Sequence, residues 1–436
     1  MPLVLVGISH RTAPVAIREI LALSPTAQRE LLQRLGGDVQ AGAGADEFAV
    51  LSTCNRTELY AADSTDSGRS AALSEALAGV LTGMASPPAA LEGRIYRENG
   101  LEVVRHLCRV AAGLDSMVPG ESEVMGQVAM AHELARAAGH MHSVLDAAFR
   151  AARRAGRRAR TETGIARGAT GVGSEAARLL ADLSGPLDDR EILVVGTGKI
   201  GRLAGEALRA RGARRLSVVS RTAEHATHLA RTLGARALAW HDLPQALAAA
   251  DVVVCATGAP HAVITRELLV RAMGATGDGR TRIIVDLAVP RDVEAGVGAL
   301  PGVTLIDLDG LEQRLAAAFA ERRGAFPAVD RIVEDEVAQF DAWRRGERLR
   351  PLIADLRDKS DRIRVRELDR MLRRLGGVSP ELRAELEAFS QSLVTKLLHA
   401  PTRRLREAVN PDRAQSYQSA LRDLFDLSEH APGLDA

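Results

Sequence analysis

The 436-residue chain reads as α/β and multidomain: an N-terminal α+β segment, a Rossmann-like doubly wound middle and an all-helical C-terminal third. Three observations predict this. Between about 190 and 307, short β-rich runs alternate with helical stretches, the pattern of a parallel sheet covered on both faces. After Asp309 nothing reads as a strand, and Leu, Ala and Arg dominate in a way that favours long helices. Aromatic residues make up only 3% of a chain that is 46% hydrophobic, so its cores must be built from Leu, Val, Ile and Ala.

From the N-terminus, Leu3 to Ser9 is an apolar run that reads as a buried strand. Ser24-Pro25 opens a helix through Leu35, with serine as N-cap and proline in the first turn. Glu47 to Ser52 reads as a strand again, while residues 37–46 and 63–70 read as surface loops. From Leu101 the period turns helical, with Val103, Val104, Leu107, Val110 and Ala111 on one apolar face. A helical run follows over 124–160, interrupted near Gly139. The β-rich runs are Ile192–Val195, Leu216–Val219, Asp251–Cys255, Ile283–Asp286 and Val303–Ile306. Leu311–Trp343, interrupted by Gly324 and Pro327, and Pro351–Leu375 read as helical at length, an extended helical unit for self-association.

Composition narrows the setting. The three cysteines, Cys54, Cys108 and Cys255, lie far apart without a CxxC pair, which argues against a disulfide framework or a cysteine-rich zinc site and points to reducing cytosol. No stretch of 18 apolar residues supports a membrane span. A formal net charge of +1 neither favours nor disfavours a nucleic-acid partner.

Two motifs carry chemistry. Gly196-Thr197-Gly198-Lys199-Ile200-Gly201 follows a strand, opens a helix and precedes a second strand that ends about 19 residues on, the setting in which glycines let a pyrophosphate approach a helix N-terminus. At the end of that second strand stand Ser220-Arg221-Thr222, where an acidic residue would select NAD. An arginine and two hydroxyls suit the 2′-phosphate of NADP, the alternative being a solvated surface arginine. The other motif is Leu51-Ser52-Thr53-Cys54-Asn55-Arg56-Thr57-Glu58-Leu59-Tyr60, a thiol among polar groups just beyond a strand end. Cys54 reads as a nucleophile whose pKa Arg56 lowers from about 8.5, whereas Cys108 and Cys255, on apolar runs, read as small buried residues. A thiolate joined to a hydride carrier points to acyl reduction through a thioester. His106, at the margin of its helix's apolar face, is open to a cleft role or to a satisfied structural one. Arg150, Arg153, Arg154, Arg157, Arg158 and Arg160 form either a phosphate track or a solvated helix face.

On these residues the chain resembles the glutamyl-tRNA reductase family over nearly its whole length. The resemblance rests on Gly7-Ile8-Ser9-His10-Arg11-Thr12-Ala13-Pro14, on Ser52 to Tyr60, and on Gly113-Leu114-Asp115-Ser116-Met117-Val118-Pro119-Gly120-Glu121 followed by Gly126-Gln127. It rests further on the glycine motif, on Asp286-Leu287-Ala288-Val289-Pro290-Arg291-Asp292, and on Lys396-Leu397-Leu398-His399-Ala400-Pro401-Thr402. It implies a catalytic glutamyl-tRNA-binding domain over 1–160, an NADP-binding domain over 161–308 and a helical dimerisation domain over 309–436. It also implies that Cys54 attacks the ester of glutamyl-tRNA, and that NADPH then reduces the thioester to glutamate-1-semialdehyde, which begins tetrapyrrole synthesis. His106 matches a histidine important for activity. Thr53, Asn55, Arg56, Ser116, Glu121, Ser122, Glu123 and Gln127 match substrate-binding positions. The implied partners are a second copy of the chain and an aminomutase that takes the product. Two departures stand out: Glu123 where the family commonly has glutamine, and Ser220 where it commonly has asparagine. The rival readings are another thioester-forming aldehyde dehydrogenase and a catalytically altered paralogue acting as a binding or regulatory subunit.

Overall fold

The computed structural model describes residues 2–39, 44–63, 69–121, 123–166, 171–274, 279–315, 323–407 and 411–427. They form two compact units, Met1–Val337 and Ala338–Ala436.

The first unit begins with β1 (Leu3–Ser9), α1 (Val15–Arg18), α2 (Pro25–Arg34), β2 (Glu47–Ser52), β3 (Arg56–Ala62), α3 (Ser70–Gly83), β4 (Tyr96–Asn99), α4 (Leu101–Ala111), α5 (Glu123–Ala137) and α6 (Ser143–Glu162). The strands make an antiparallel sheet in the order β2-β3-β1-β4. Every residue of β1 is buried, which is why it reads as a continuous apolar run rather than an alternating one. Ser24 caps α2 by accepting from the Ala27 N–H at 3.2 Å, as the Ser24-Pro25 pair predicts. The cap of α6 comes from outside the helix: buried Glu47 accepts from the N–H groups of Val144 (2.8 Å) and Leu145 (2.6 Å). A carboxylate suits a helix N-terminus, because the free N–H groups concentrate positive charge there.

The basic face of α6 is largely spent within the protein. Arg154 pairs with Glu336 (2.8 Å), and Arg158 pairs with Glu162 (2.9 Å), Glu336 (3.2 Å) and Asp335 (3.3 Å). Arg150 pairs with Asp146, and Arg160 donates to the Gly120 carbonyl. These contacts engage Arg150, Arg154 and Arg158 with acidic side chains and Arg160 with a backbone carbonyl.

The same unit continues with α7 (Val172–Ser184), β5 (Glu191–Val195), α8 (Lys199–Ala210), β6 (Arg215–Val219), α9 (Ala223–Leu233), β7 (Arg236–Leu238), α10 (Leu243–Ala249), β8 (Val252–Cys255), α11 (Arg266–Met273), β9 (Arg282–Asp286), β10 (Val303–Ile306) and α12 (Leu308–Leu315). Here the sheet is parallel, in the order β10-β9-β8-β5-β6-β7, so the order reverses between β5 and β8. Strand residues alternate between two cores. Val194, Val218, Val254 and Val285 pack on one face, and Leu193, Val219, Val253 and Ile284 on the other, which is the doubly wound arrangement.

Among the described residues, the helices after α12 are α13 (Phe326–Arg374), which starts in the first unit, α14 (Pro380–Glu407) and α15 (Pro411–Phe425). Both helical ranges fall on one element from Phe326 onward, with no break between Trp343 and Pro351: α13 is one helix of 49 residues. Pro327 sits in its first turn, where the missing N–H costs nothing. Pro351 lies inside the helix, and the residues around it, Leu349, Leu352, Ile353 and Leu356, are all buried in the core of the second unit. Proline in a helix interior costs about 3 kcal/mol, which the burial of two such side chains at about 1.5–3 kcal/mol each offsets.

Candidate active site

Cys54 stands on the three-residue turn joining β2 to β3. Thr53 ties the turn: its Oγ1 accepts from the N–H groups of Asn55 (3.0 Å) and Arg56 (3.2 Å), and its own N–H donates to the Arg56 carbonyl at 2.8 Å. The Asn55 carbonyl accepts from the His10 N–H at 2.8 Å, fastening the turn to the end of β1. The hydroxyl expected to hold substrate is therefore also the clamp that shapes the turn.

Beside the turn lies a buried lattice of charge. Arg56, Glu58 and Tyr60 share one face of β3 and point inward. Glu58 Oε1 accepts from Arg56 Nη1 (2.9 Å), His106 Nε2 (2.8 Å) and Tyr96 Oη (2.5 Å), and its Oε2 accepts from Tyr60 Oη. Burial alone pushes this carboxyl up, but the charges of His106 and Arg56 and the hydrogen bonds of its donors carry it well below the ordinary carboxylate range. Gly7 lies opposite Glu58 across the sheet, where a Cβ would come within 2.8 Å of Glu58 Cγ, so glycine makes room for the carboxylate. Arg56 Nη2 also donates to the Asp115 carbonyl, which joins the lattice to the loop that follows α4. That loop turns on Gly113 and Gly120, both at φ +77°, and a Cβ on Gly120 would lie 2.1 Å from the Ile165 carbonyl oxygen.

Arg56 does not activate the thiol. Its guanidinium is committed to Glu58 and Asp115, and the cation that favours a Cys54 thiolate is Arg18. Burial, followed by the negative charge of Glu121 and then Glu123, outweighs Arg18 and pushes the Cys54 thiol up to about 12. The expectation of a lowered thiol pKa is thus corrected: the resting sulfur is protonated. Glu121 is itself pushed up to about 8, first by burial and then by Glu123. Cys108 and Cys255 are fully buried, as their apolar runs predict.

A cleft of about 510 Å³ opens on this turn. Cys54, Glu123 and Gln127 line one side, and Gly198, Lys199 and Thr257 the other. The second side is the point where the strand order of the parallel sheet reverses, the usual ligand crevice of such sheets. Gly196 (φ +107°) passes so close to the end of β8 that a Cβ would lie 2.4 Å from the Ala256 carbonyl oxygen, and a Cβ on Gly201 would lie 2.5 Å from the Gly196 oxygen. Gly198 instead faces open space, with nothing nearer than 3.9 Å, so a side chain there would fill the cradle ahead of α8. The first turn of α8 carries no acidic residue, and no side chain caps it. These features suit a pyrophosphate.

Glu123 and Lys199 pair across the cleft at 3.5 Å, linking the acidic segment to the glycine loop. Thr197 Oγ1 lies 3.4 Å from Ser220 Oγ, while Arg221 and Thr222 are exposed at the end of β6. Of the predicted substrate residues, the structure gathers Cys54, Glu123 and Gln127 in the cleft. Arg56 and His106 meet through Glu58, and Asn55, Ser116 and Glu121 are buried. Ser122 lies outside the described residues. Sequence reasoning missed Glu58, Tyr60, Tyr96, Arg18 and Asp309. Arg56, Glu58 and Tyr60 recur at every second residue, and that spacing was the available signal for a shared face.

A thiol on a hairpin turn, facing the glycine loop of a parallel doubly wound sheet, fits the class of an oxidoreductase-type enzyme assembled from a thiol-bearing α+β domain and a dinucleotide-type domain. The comparisons with known proteins give the family. Residues 6–163 match the model of the glutamyl-tRNAGlu reductase N-terminal domain, 178–314 that of shikimate / quinate 5-dehydrogenase, and 328–427 that of the glutamyl-tRNAGlu reductase dimerisation domain. Glutamyl-tRNA reductase of Chloroflexus aurantiacus is 40% identical over 440 residues, which cover 99% of this chain and 100% of that one. The Salinispora arenicola protein of that name is 40% identical over 431 residues, covering 98% and 92%. Among solved structures, glutamyl-tRNA reductase from Methanopyrus kandleri matches at 33% identity and a TM-score of 0.50, covering 98% of this chain and 99% of that one. The chain belongs to the glutamyl-tRNA reductase family.

Proposed function

We propose that this protein reduces glutamyl-tRNA to glutamate-1-semialdehyde with NADPH, through a thioester on Cys54, as the first step from glutamate to 5-aminolevulinate and tetrapyrroles. The observation that carries this reading is that Cys54 and the glycine loop of α8 line the same cleft. Acyl transfer to sulfur expels tRNA, and the thiol proton ends on the leaving ribosyl oxygen. Cys54 starts protonated, so that proton departs as the bond forms, with the raised carboxyl of Glu121 close enough to feel the charge of the sulfur. Bound NADPH supplies hydride to the thioester carbon; with one proton taken up, the aldehyde leaves and the thiol is restored.

In this reading Thr53, Asn55, Arg56, Ser116, Glu121, Ser122, Glu123 and Gln127 receive the glutamyl group. Asn55 Oδ1 and Arg56 Nε support it, being buried polar atoms without a protein partner. His106 and Glu58 hold Arg56 in place. Gly196 to Gly201 cradle the pyrophosphate, and Ser220, Arg221 and Thr222 take the 2′-phosphate. The protein acts as a cytoplasmic homodimer through its C-terminal helices. Phe389, Leu393 and Leu397 of α14 support this, being large, apolar and exposed. On the family resemblance we also propose docking of the aminomutase that consumes the aldehyde.

Incubating the purified protein with glutamyl-tRNA and NADPH, and identifying the product, tests the reading. The expected product is glutamate-1-semialdehyde. NADPH oxidation driven instead by a glutamyl-CoA or glutamyl phosphate would overturn it in favour of another acyl-reducing dehydrogenase.

A further inference from the structure

Arg18 ends the short helix α1, and its side chain is 2% exposed. Its guanidinium spans two parts of the first unit. Nη1 donates to the carbonyl oxygen of Cys54 at 2.5 Å, and Nη2 donates to Asp309 Oδ1. Asp309 lies in the first turn of α12, directly after β10, and its other oxygen accepts from the Val15 N–H at 2.7 Å, fixing the start of α1. Leu308, Leu311 and Leu315 of α12 are buried in the core on one face of the parallel sheet, and Cys54 packs against that same core. A planar two-pronged cation therefore runs from the layer of the parallel sheet to the backbone of the thiol turn. Thr53 and His10 both hold Asn55, on one flank of Cys54, and Arg18 holds Cys54 itself.

We propose that Arg18 is a positioning residue for Cys54: braced by Asp309, it fixes the carbonyl of the turn so that the sulfur faces the cleft and keeps its place relative to the parallel sheet. The physical reason lies in the fork. Guanidinium presents parallel N–H groups with fixed geometry, so it constrains both ends at once, whereas an ammonium is a single point charge that satisfies one end at a time. The same cation opposes Glu121 and Glu123 in the field at the sulfur, so its removal makes the thiolate harder to form as well as looser. The inference rests on the reading of Cys54 as the nucleophile.

The test uses full-length Arg18→Met, Arg18→Lys and Asp309→Asn with Cys54→Ser beside them. Four quantities are read: single-turnover release of tRNA from glutamyl-tRNA, KM for glutamyl-tRNA, NADPH affinity by fluorescence, and the pH profile of Cys54 alkylation by mass spectrometry. Loss of positioning predicts a fall in the acyl-transfer rate of about a hundredfold for Arg18→Met and about tenfold for Arg18→Lys and Asp309→Asn, since small misplacements cost this much. KM and NADPH affinity stay within about twofold, and the alkylation profile of Arg18→Met moves to higher pH. If Arg18→Met fails to fold, the Lys and Asn variants carry the test. A wild-type rate and alkylation profile in these variants, with only a lower melting temperature, overturns the positioning role. Continued turnover by Cys54→Ser instead overturns the nucleophile reading.

Discussion

The two walls of the cleft are built on opposite plans. The thiol side is built from buried side-chain charge: Arg56 is 2% exposed, Glu58 not at all, and each is held by several partners. The nucleotide side is built from backbone and from missing side chains: Gly196 and Gly201 permit close packing, Gly198 leaves space, and the charged groups Lys199 and Arg221 reach into solvent. The first plan preorganises a polar pocket at a high desolvation cost, so losing one member strands the others. The second plan leaves an open backbone cradle, and the cations beside it, being exposed, add little to the core.

Four experiments press on this contrast, beginning with the largest expected effect. Cys54→Ser should abolish semialdehyde formation, a loss on the order of a thousandfold or more, because serine is far less nucleophilic near neutral pH. Cys108→Ala and Cys255→Ala should keep turnover, since both are buried and neither lines the cleft. A Cys54→Ser enzyme that reduces glutamyl-tRNA at a rate near wild type would falsify the thioester route.

Next in size is Glu58→Gln, which leaves Arg56 buried beside a neutral group and should cost about 3–5 kcal/mol in denaturant unfolding. The sign with pH follows from the lowered folded pKa. The stabilisation from Glu58 is full above the ordinary carboxylate value of 4.5 and is lost only as pH falls through the depressed value, so the wild-type advantage over Gln should shrink in acid. An advantage independent of pH would show that Glu58 acts through shape alone.

Arg221→Ala belongs to the other wall, and its effect should fall on binding, not on folding. A lost charge-assisted contact of about 1.5–3 kcal/mol corresponds to a KM for NADPH raised about tenfold to over a hundredfold. Use of NADH, stability, and NADPH-independent deacylation of glutamyl-tRNA should stay nearly unchanged. Equal loss of reduction and deacylation in this variant would mean that the two walls are not separable.

The last effect is gradual, on the pH slope of stability. Glu121 is raised from 4.5 to about 8, so the folded protein keeps a proton that the unfolded chain releases; stability from this source is full below 4.5 and declines as pH rises through 8. Asp286, raised by burial to about 7, contributes a slope of the same sign. Glu121→Gln should therefore flatten the decline in melting temperature between those values without removing it. A slope identical to wild type would place Glu121 outside the titrating set.

How much of this was legible beforehand depended on whether the signal was local. β1, the Ser24 cap and the valine-rich strands β5, β6, β8 and β9 are visible because burial on both faces leaves continuous apolar runs. The strand β3 was missed for the converse reason: Arg56-Thr57-Glu58 reads as surface, yet all three residues are buried. Pro351 likewise reads as a boundary but lies within α13, where buried leucines surround it.

The sequence by itself determined the alternation that makes the parallel sheet, the glycine loop, and the cysteine at a strand end, because each is written in neighbouring residues and their backbone preferences. Tertiary structure alone decided the charge state of that cysteine and the partners of Arg56. Arg56 stands 2 residues from Glu58 and 59 from the carbonyl of Asp115 that it also binds, and Arg18 reaches 36 residues to Cys54 and 291 to Asp309. Electrostatic neighbours are set by distance in space and by exclusion of water, and neither is encoded in the spacing of residues along the chain.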